Sequence, residues 1–342
     1  MSDLITQLIR AERLLLETTL QSCSPFEGRD RARVLHADVL METTKAIPKE
    51  PADGAAFPVE YQRLALSAET LQAIDQAFAG GSTFRDKPVT AEHICQAREF
   101  VQHHYGFDVS TVPVKLSQVP QTESVEGFFM SCGIAEGAVF LPSVFCSPVE
   151  LIVHELGHAM HTTIRRQQRP TDYRFWIDWN SIGPEMCAYH AQFSYLIKHG
   201  TKEQFYVALG ALLTSVSQLL CLLTLSAKLS KEEFQEYAPV QAYQNTVAWK
   251  ALLDMYGGMH PTHPNSKQNI AVAVSGFTRG IGLALALKLI GEPQGLVAFM
   301  KEDTVAKPIL LKLNEAFPHH KDLGYLDDIN EVISQISARM LA

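Results

Sequence analysis

Two histidines four residues apart, His154 and His158, stand in the run SPVELIVHELGHAMH at 147–161, with Glu155 directly after the first. On an α-helix such residues share one face about 6 Å apart, so both imidazoles can reach a single divalent cation. Glu155 beside them can hold a water at that cation and take its proton. This is the chemistry of a zinc hydrolase. Ser147 followed by Glu150 predicts a capping box, and Pro148 falls at the first helical position, where its missing N–H does no harm. The helix then starts about two turns before His154. Gly157 allows a close backbone approach. His161 is expected behind the ligands, because a third ligand from the same helix would strain a tetrahedron.

A catalytic zinc takes three protein ligands and keeps an open position. The downstream carboxylates are Asp172, Asp178 and Glu185. Ser181, Gly183 and Pro184 mark a helix start, which puts Glu185 in the first turn of a second helix, able to face the first. Asp178 precedes that start and is the alternative. Gly137 to Leu141, just upstream of the metal helix, is expected to be an edge strand to which an extended peptide substrate adds.

A likeness rests on the same residues. The run HELGHAMHTTIRRQQRPTDYRFWIDWNSIGPEMCAYHAQFSYL resembles the catalytic segment of the oligopeptidase F and thimet oligopeptidase family of gluzincins, with its H-E-x-G-H-x-x-H and a glutamate ligand in a following helix. GFTRGIGLALALKLIGEPQGLVAFMKE, at 276–302, is similar to that family's late segment, so the likeness covers roughly 125–320, the catalytic half. It implies a zincin-like metallopeptidase fold with one Zn2+ per chain, held by His154, His158 and Glu185, with Glu155 as general base. The implied activity is hydrolysis of peptide bonds in oligopeptides. The resemblance also implies a histidine before the late helix, matched by His263 with His260 nearby, and oxyanion-stabilising tyrosines a few residues later. The stretch SKQNIAVAVSG holds no tyrosine, and Tyr256 is the candidate substitute. The chain is shorter than typical family members, so the lobe that restricts substrate length is expected to be reduced. The missing tyrosines raise an alternative: a zinc-bearing peptide-binding or scaffold protein with weak or lost catalysis.

The elements that position these residues read as mostly helical. Leu4, Ile5, Leu8, Ile9 and Leu14 to Leu16 recur at helical spacing. Further helices are predicted near 29–45, 59–79 and 90–105, with breaks at Ser24-Pro25, at Ile47-Pro48 through Pro51 and at Gly80-Gly81. Val112 to Val119 and Gly137 to Phe145 are rich in β-branched and aromatic residues and predict short strands. From 147 onward the pattern is helical again. The expected fold is mainly α and zincin-like, with a small β-sheet beside the active-site helix. Its parts are an N-terminal helical lobe at 1–110 and a catalytic domain with C-terminal helices at 111–342.

Composition narrows the classes. With 342 residues, 46% hydrophobic and 19% charged, the chain reads as globular. A net charge of −8 disfavours a nucleic-acid binder, which needs a basic face. The six scattered cysteines lack C-x-x-C spacing, and with no secretory signal at the start the expected location is cytoplasmic. Residues 205–227 carry no charge and are long enough to span a bilayer, yet their serines, threonines and glutamine fit a central helix better. Gly276, Gly280 and Gly282 also imitate the dinucleotide-binding turn of a nicotinamide-dependent enzyme. Only 60 residues follow Gly282, too few for the remaining sheet, and small residues for close helix packing explain the glycines better. Oligomeric state stays open.

Overall fold

The computed structural model describes residues 2–48, 63–80, 86–119, 126–177, 182–320 and 323–340. Its N-terminal part holds α1 (Ser2–Leu20), α2 (Pro25–Leu35), α3 (Ala37–Ala46), α4 (Ala68–Ala79), β1 (Lys87–Pro88) and α5 (Ala91–Tyr105). The strands β2 (Val114–Leu116), β3 (Phe128–Cys132), β4 (Glu136–Leu141) and β5 (Val144–Phe145) follow, then α6 (Pro148–Gln168) and α7 (Ile182–His199). The rest is helical: α8 (Lys202–Ala208), α9 (Gly210–Ser226), α10 (Lys231–Glu236), α11 (Ala238–Gln241), α12 (Ala248–Met259), α13 (Ser266–Lys288), α14 (Pro293–Glu302), α15 (Ile309–Ala316) and α16 (Ile329–Arg339). The protein is mainly α with small sheets.

The three-stranded sheet runs β2-β4-β3, with β4 parallel to β2 and antiparallel to β3. The expectation that Gly137 to Leu141 forms an edge is therefore corrected: β4 is central and paired on both sides. Its sequence gives the reason. Ala138 to Leu141 is a continuous apolar run, fully buried, as a strand covered on both faces must be. The edge nearest α6 is β3, whose Phe129 faces Val139 across the pair.

One core cluster collects Leu64, Leu71, Ile74, Phe100 and Val101 together with Ile152, Met186, Phe193, Leu285 and Ile333. The boundary expected at 110 thus passes through a shared interior, with α5 packed against α6. α1, which packs on α2 and α3, also reaches across that boundary. Its Leu4 and Ile5 pack on Tyr173, Phe175, Trp176 and Ile177 in the connection between α6 and α7. Glu12 of α1 forms an ion pair at 2.6 Å with buried Arg166 of α6 and accepts hydrogen bonds from Ser131 and the Gly133 N–H beside β3. A charge buried in this way is tolerable because it is both paired and hydrogen-bonded.

Lys202–Ser226 and Ser266–Lys288 are long and apolar enough to cross a membrane by length and composition alone, but 61% of each apolar window is buried inside the molecule. Packing of α13 against α7 and α9 accounts for that apolarity. Gly276, Gly280 and Gly282 lie within the continuous helix α13, with no strand and turn before them. The dinucleotide-binding alternative, which requires both, is excluded by that geometry.

Candidate metal centre

The α6 helix starts at Pro148, as the sequence predicts, but the capping box does not form: Ser147 makes no side-chain cap to the helix. Glu150 instead turns inward and is buried, where it accepts a hydrogen bond from Gln192 Nε2 of α7. Burial pushes the Glu150 carboxyl up, and its bonds from Gln192 and Ser147 pull it part of the way back.

α6 and α7 lie antiparallel, with Glu150 beside Gln192 at one end and His158 beside Glu185 at the other. Gly157 makes the approach possible. A Cβ there would stand 2.7 Å from Ala188 Cα, a backbone atom that cannot swing aside. The rings of His154 and His158 are 5.0 Å apart between centroids. Glu185 Oε2 lies 3.9 Å from His154 Nε2 and 4.0 Å from His158 Nε2. These three residues could hold a metal ion: one donor atom from each falls within 4.8 Å of the others. In a tetrahedral zinc site with bonds near 2.0–2.2 Å, ligand atoms sit about 3.3–3.5 Å apart. The two distances to Glu185 exceed that spacing by about half an ångström, and no pair in the set exceeds it by more than about 1.5 Å.

Surrounding groups suit a cation. His154 Nδ1 is 2.8 Å from Gln192 Oε1, so the ring donates from Nδ1 and turns Nε2 toward Glu185, the tautomer a ligand needs. Burial first, then His158 and Arg279, lower the His154 pKa to about 4, which keeps the imidazole neutral. Glu155 is buried and accepts the Phe129 N–H of edge strand β3, while its Oε2 has no hydrogen-bond partner. Burial, then the charges of Glu185 and Glu126, push its carboxyl well above the usual carboxylate range. Such a cluster of acids is short of positive charge, and a divalent cation would supply it.

These groups open onto a cavity of about 940 Å³. β3 forms one wall from Phe128 to Ser131, preceded by Gly127, α1 and α2 contribute Glu12, Leu15, Arg29 and Arg33, and α9 contributes Ala211 and Thr214. Tyr189, one turn after Glu185, lays its ring edge-on to His154 at 4.8 Å and also faces the cavity. Arg279 of α13 reaches Glu185 Oε1 at 3.2 Å, leaving Oε2 toward the histidines.

Three candidates from the sequence fall elsewhere. Tyr256 is buried against Phe234, ring centroids 3.9 Å apart, and donates its hydroxyl to Leu229 O. His260 bonds Thr262, and exposed His263 accepts the Asn265 N–H. None of the three lines the cavity. The turn between α12 and α13 that carries the histidines is held outside, because Tyr256 anchors the end of α12 into its own packing. Asp172 is bound to Arg174 in a short 3-10 turn, and Asp178 lies outside the described residues. His161, fully buried, bonds Asp303 Oδ2 at 2.8 Å and is not part of the metal group. Gln192, Glu150, Tyr189 and Arg279 were missed by sequence reasoning. Gln192 and Tyr189 share a helical face with Glu185, at seven and four residues' distance, which is the one signal available for them.

No family model, curated protein or solved structure matches this chain.

Proposed function

We propose that this protein is a zinc-dependent metallopeptidase acting on oligopeptides, with a zincin-like arrangement of helix and edge strand. The observation that carries this reading is the convergence of His154, His158 and Glu185 beside a buried, partnerless Glu155 oxygen at a cavity walled by β3. Zinc, when bound, polarises the scissile carbonyl and lowers the pKa of water. The two imidazoles and the carboxylate suit zinc in donor type and number, leaving one position open.

The chain's own residues supply the rest. Edge strand β3 offers backbone groups to an extended peptide, which fixes the scissile bond next to α6. Glu155, anchored through one oxygen by the Phe129 N–H, has its other oxygen available to take a proton from the attacking water and pass it to the leaving amine. Gln192 holds the His154 tautomer, and Arg279 occupies the second oxygen of Glu185. The cavity is a half-open cleft with walls from α1 and α9, a shape that suits an extended peptide segment.

Metal content by mass spectrometry and a mixed-peptide cleavage screen test this reading together. The wild type is expected to hold one zinc and cleave. Glu155→Gln is expected to keep the zinc and lose about 10²–10⁴-fold in rate. Glu185→Ala is expected to lose the metal, and full retention would move the third ligand elsewhere. The position of His260, His263 and Tyr256 outside the cavity favours a second reading, a metal-bearing peptide-binding protein. Zinc bound with no Glu155-dependent turnover would select it.

A further inference from the structure

The glycines that imitate a nucleotide-binding turn have another effect. A Cβ at Gly282 would stand 2.9 Å from Met186 N and 3.0 Å from Glu185 Cβ. At Gly280 it would meet Ser215 Cβ at 2.2 Å, and at Gly276 the Gln218 side chain at 2.0 Å. Bare backbone at these positions lets α13 lie directly on α7 and α9 at the level of the metal ligand Glu185. Arg279, between them, is thereby delivered into the cavity. Its guanidinium is within electrostatic reach of His154, Glu155 and Tyr189. Nε faces Glu185 Oε1, the side chain is 52% exposed, and among the described residues its two terminal nitrogens meet no acceptor.

We infer that Arg279 is a catalytic residue of the proposed peptidase: its free terminal N–H groups bind the carbonyl oxygen of the scissile bond as that oxygen becomes negative. The inference rests on the peptidase reading and fills the role expected of His260, His263 and Tyr256, none of which lines the cavity. In the step concerned, the water oxygen forms a bond to the carbonyl carbon and the carbonyl π pair moves onto its oxygen, while the water proton passes to Glu155. The charge appears beside a fixed cation that needs no reorganisation, which is where a donor lowers the barrier most. Guanidinium offers several N–H donors in one plane, so Nε can stay with Glu185 while the terminal nitrogens engage substrate.

The test compares zinc-loaded wild type, Arg279→Ala, Arg279→Lys and Tyr189→Phe by calorimetric binding of a phosphinic peptide, whose anionic phosphinyl group mimics the adduct. A neutral peptide of the same side chains serves as reference, and zinc content is measured in parallel. Arg279→Ala is expected to keep its zinc and bind the phosphinic peptide about a hundredfold more weakly, with affinity for the neutral peptide little changed. kcat should fall by a similar factor at near-constant KM, with partial rescue by added guanidinium ion. Unchanged phosphinic affinity would overturn the assignment. So would zinc loss in proportion to activity, which would make Arg279 a positioning residue acting through Glu185. A loss confined to Tyr189→Phe would also overturn it. Should the wild type cleave nothing in a Glu155-dependent manner, the peptidase reading falls by itself, and the binding comparison still decides whether Arg279 holds an anion at this centre.

Discussion

Helix α6 carries two buried histidine–carboxylate assemblies two turns apart, and they are built to opposite ends. At His161 the charges close on themselves: Asp303 accepts from His161 and pairs with buried Lys312, which also donates to Thr304 O. Burial alone would raise Asp303, but Lys312, the His161 bond and Arg165 outweigh it and hold the carboxyl below its ordinary range. At His154 the same helix presents Glu155 near Glu185 of α7, with one half-exposed arginine beside them, and Glu155 is driven up instead. The difference is the resident cation. Lys312 makes one end a clasp; the want of a full counter-charge leaves the other end able to take up a cation.

Removing that cation gives the largest expected effect. Lys312→Met leaves buried Asp303 without its ion-pair partner, held only by the His161 bond and the more distant Arg165, and should cost about 3–5 kcal/mol in urea denaturation. Asp303→Asn combined with Lys312→Met should recover much of it, and equal losses in single and double variants would refute the clasp. The metal ligands should survive in the double variant, because they belong to the other end.

Acid separates the clasp from the helix that faces it. Fully buried His190 of α7 lies between Tyr105 OH and Leu289 O, with half-buried His104 nearby. Burial lowers its pKa from 6.5 to about 4. Between those values the unfolded chain binds the proton and the folded one does not, so stability is full above pH 6.5 and falls as the pH drops to about 4, by about 3 kcal/mol. Asp303, lowered from 3.8, adds its loss only below that pH. Urea midpoints from pH 7.5 to 4.5 should decline in the wild type and less steeply in His190→Asn, where His154, lowered in the same way, keeps its own share, and parallel slopes would remove His190 as a cause. The smallest expected effect is at the His154 end. Gln192→Leu deprives His154 Nδ1–H of its acceptor and should weaken zinc binding by about 10–100-fold in a chelator competition. Wild-type affinity would show that the tautomer needs no such support.

The legible part of the site is the part governed by one helix at a time. His154, Glu155 and His158 follow from helical spacing, and Glu185 from a helix start. Arg279 depends on how α13 crosses α7, which no local pattern states, and its glycines pointed as readily to a nucleotide turn. Tyr256, His260 and His263 were placed by analogy of order along the chain, and the packing of α12 carries them away. The general helical character was readable, and so was β4 as a strand. Its place in the sheet was not, since a buried apolar run reads the same at an edge or a centre until its neighbours are known. The capping box failed because Glu150 finds a better partner in Gln192, 42 residues away.

Glu12 and Arg166, 154 residues apart, join a wall of the cavity to α6. By contrast, α6 and α7 are neighbours in the chain. Contacts of such unequal sequence separation form in order, the nearby pair before the distant one, because closing the longer loop costs more entropy. The α6–α7 hairpin that brings His154, His158 and Glu185 together can thus form before α1 is tied across to it, so the candidate site is assembled ahead of one of the walls that later flank it.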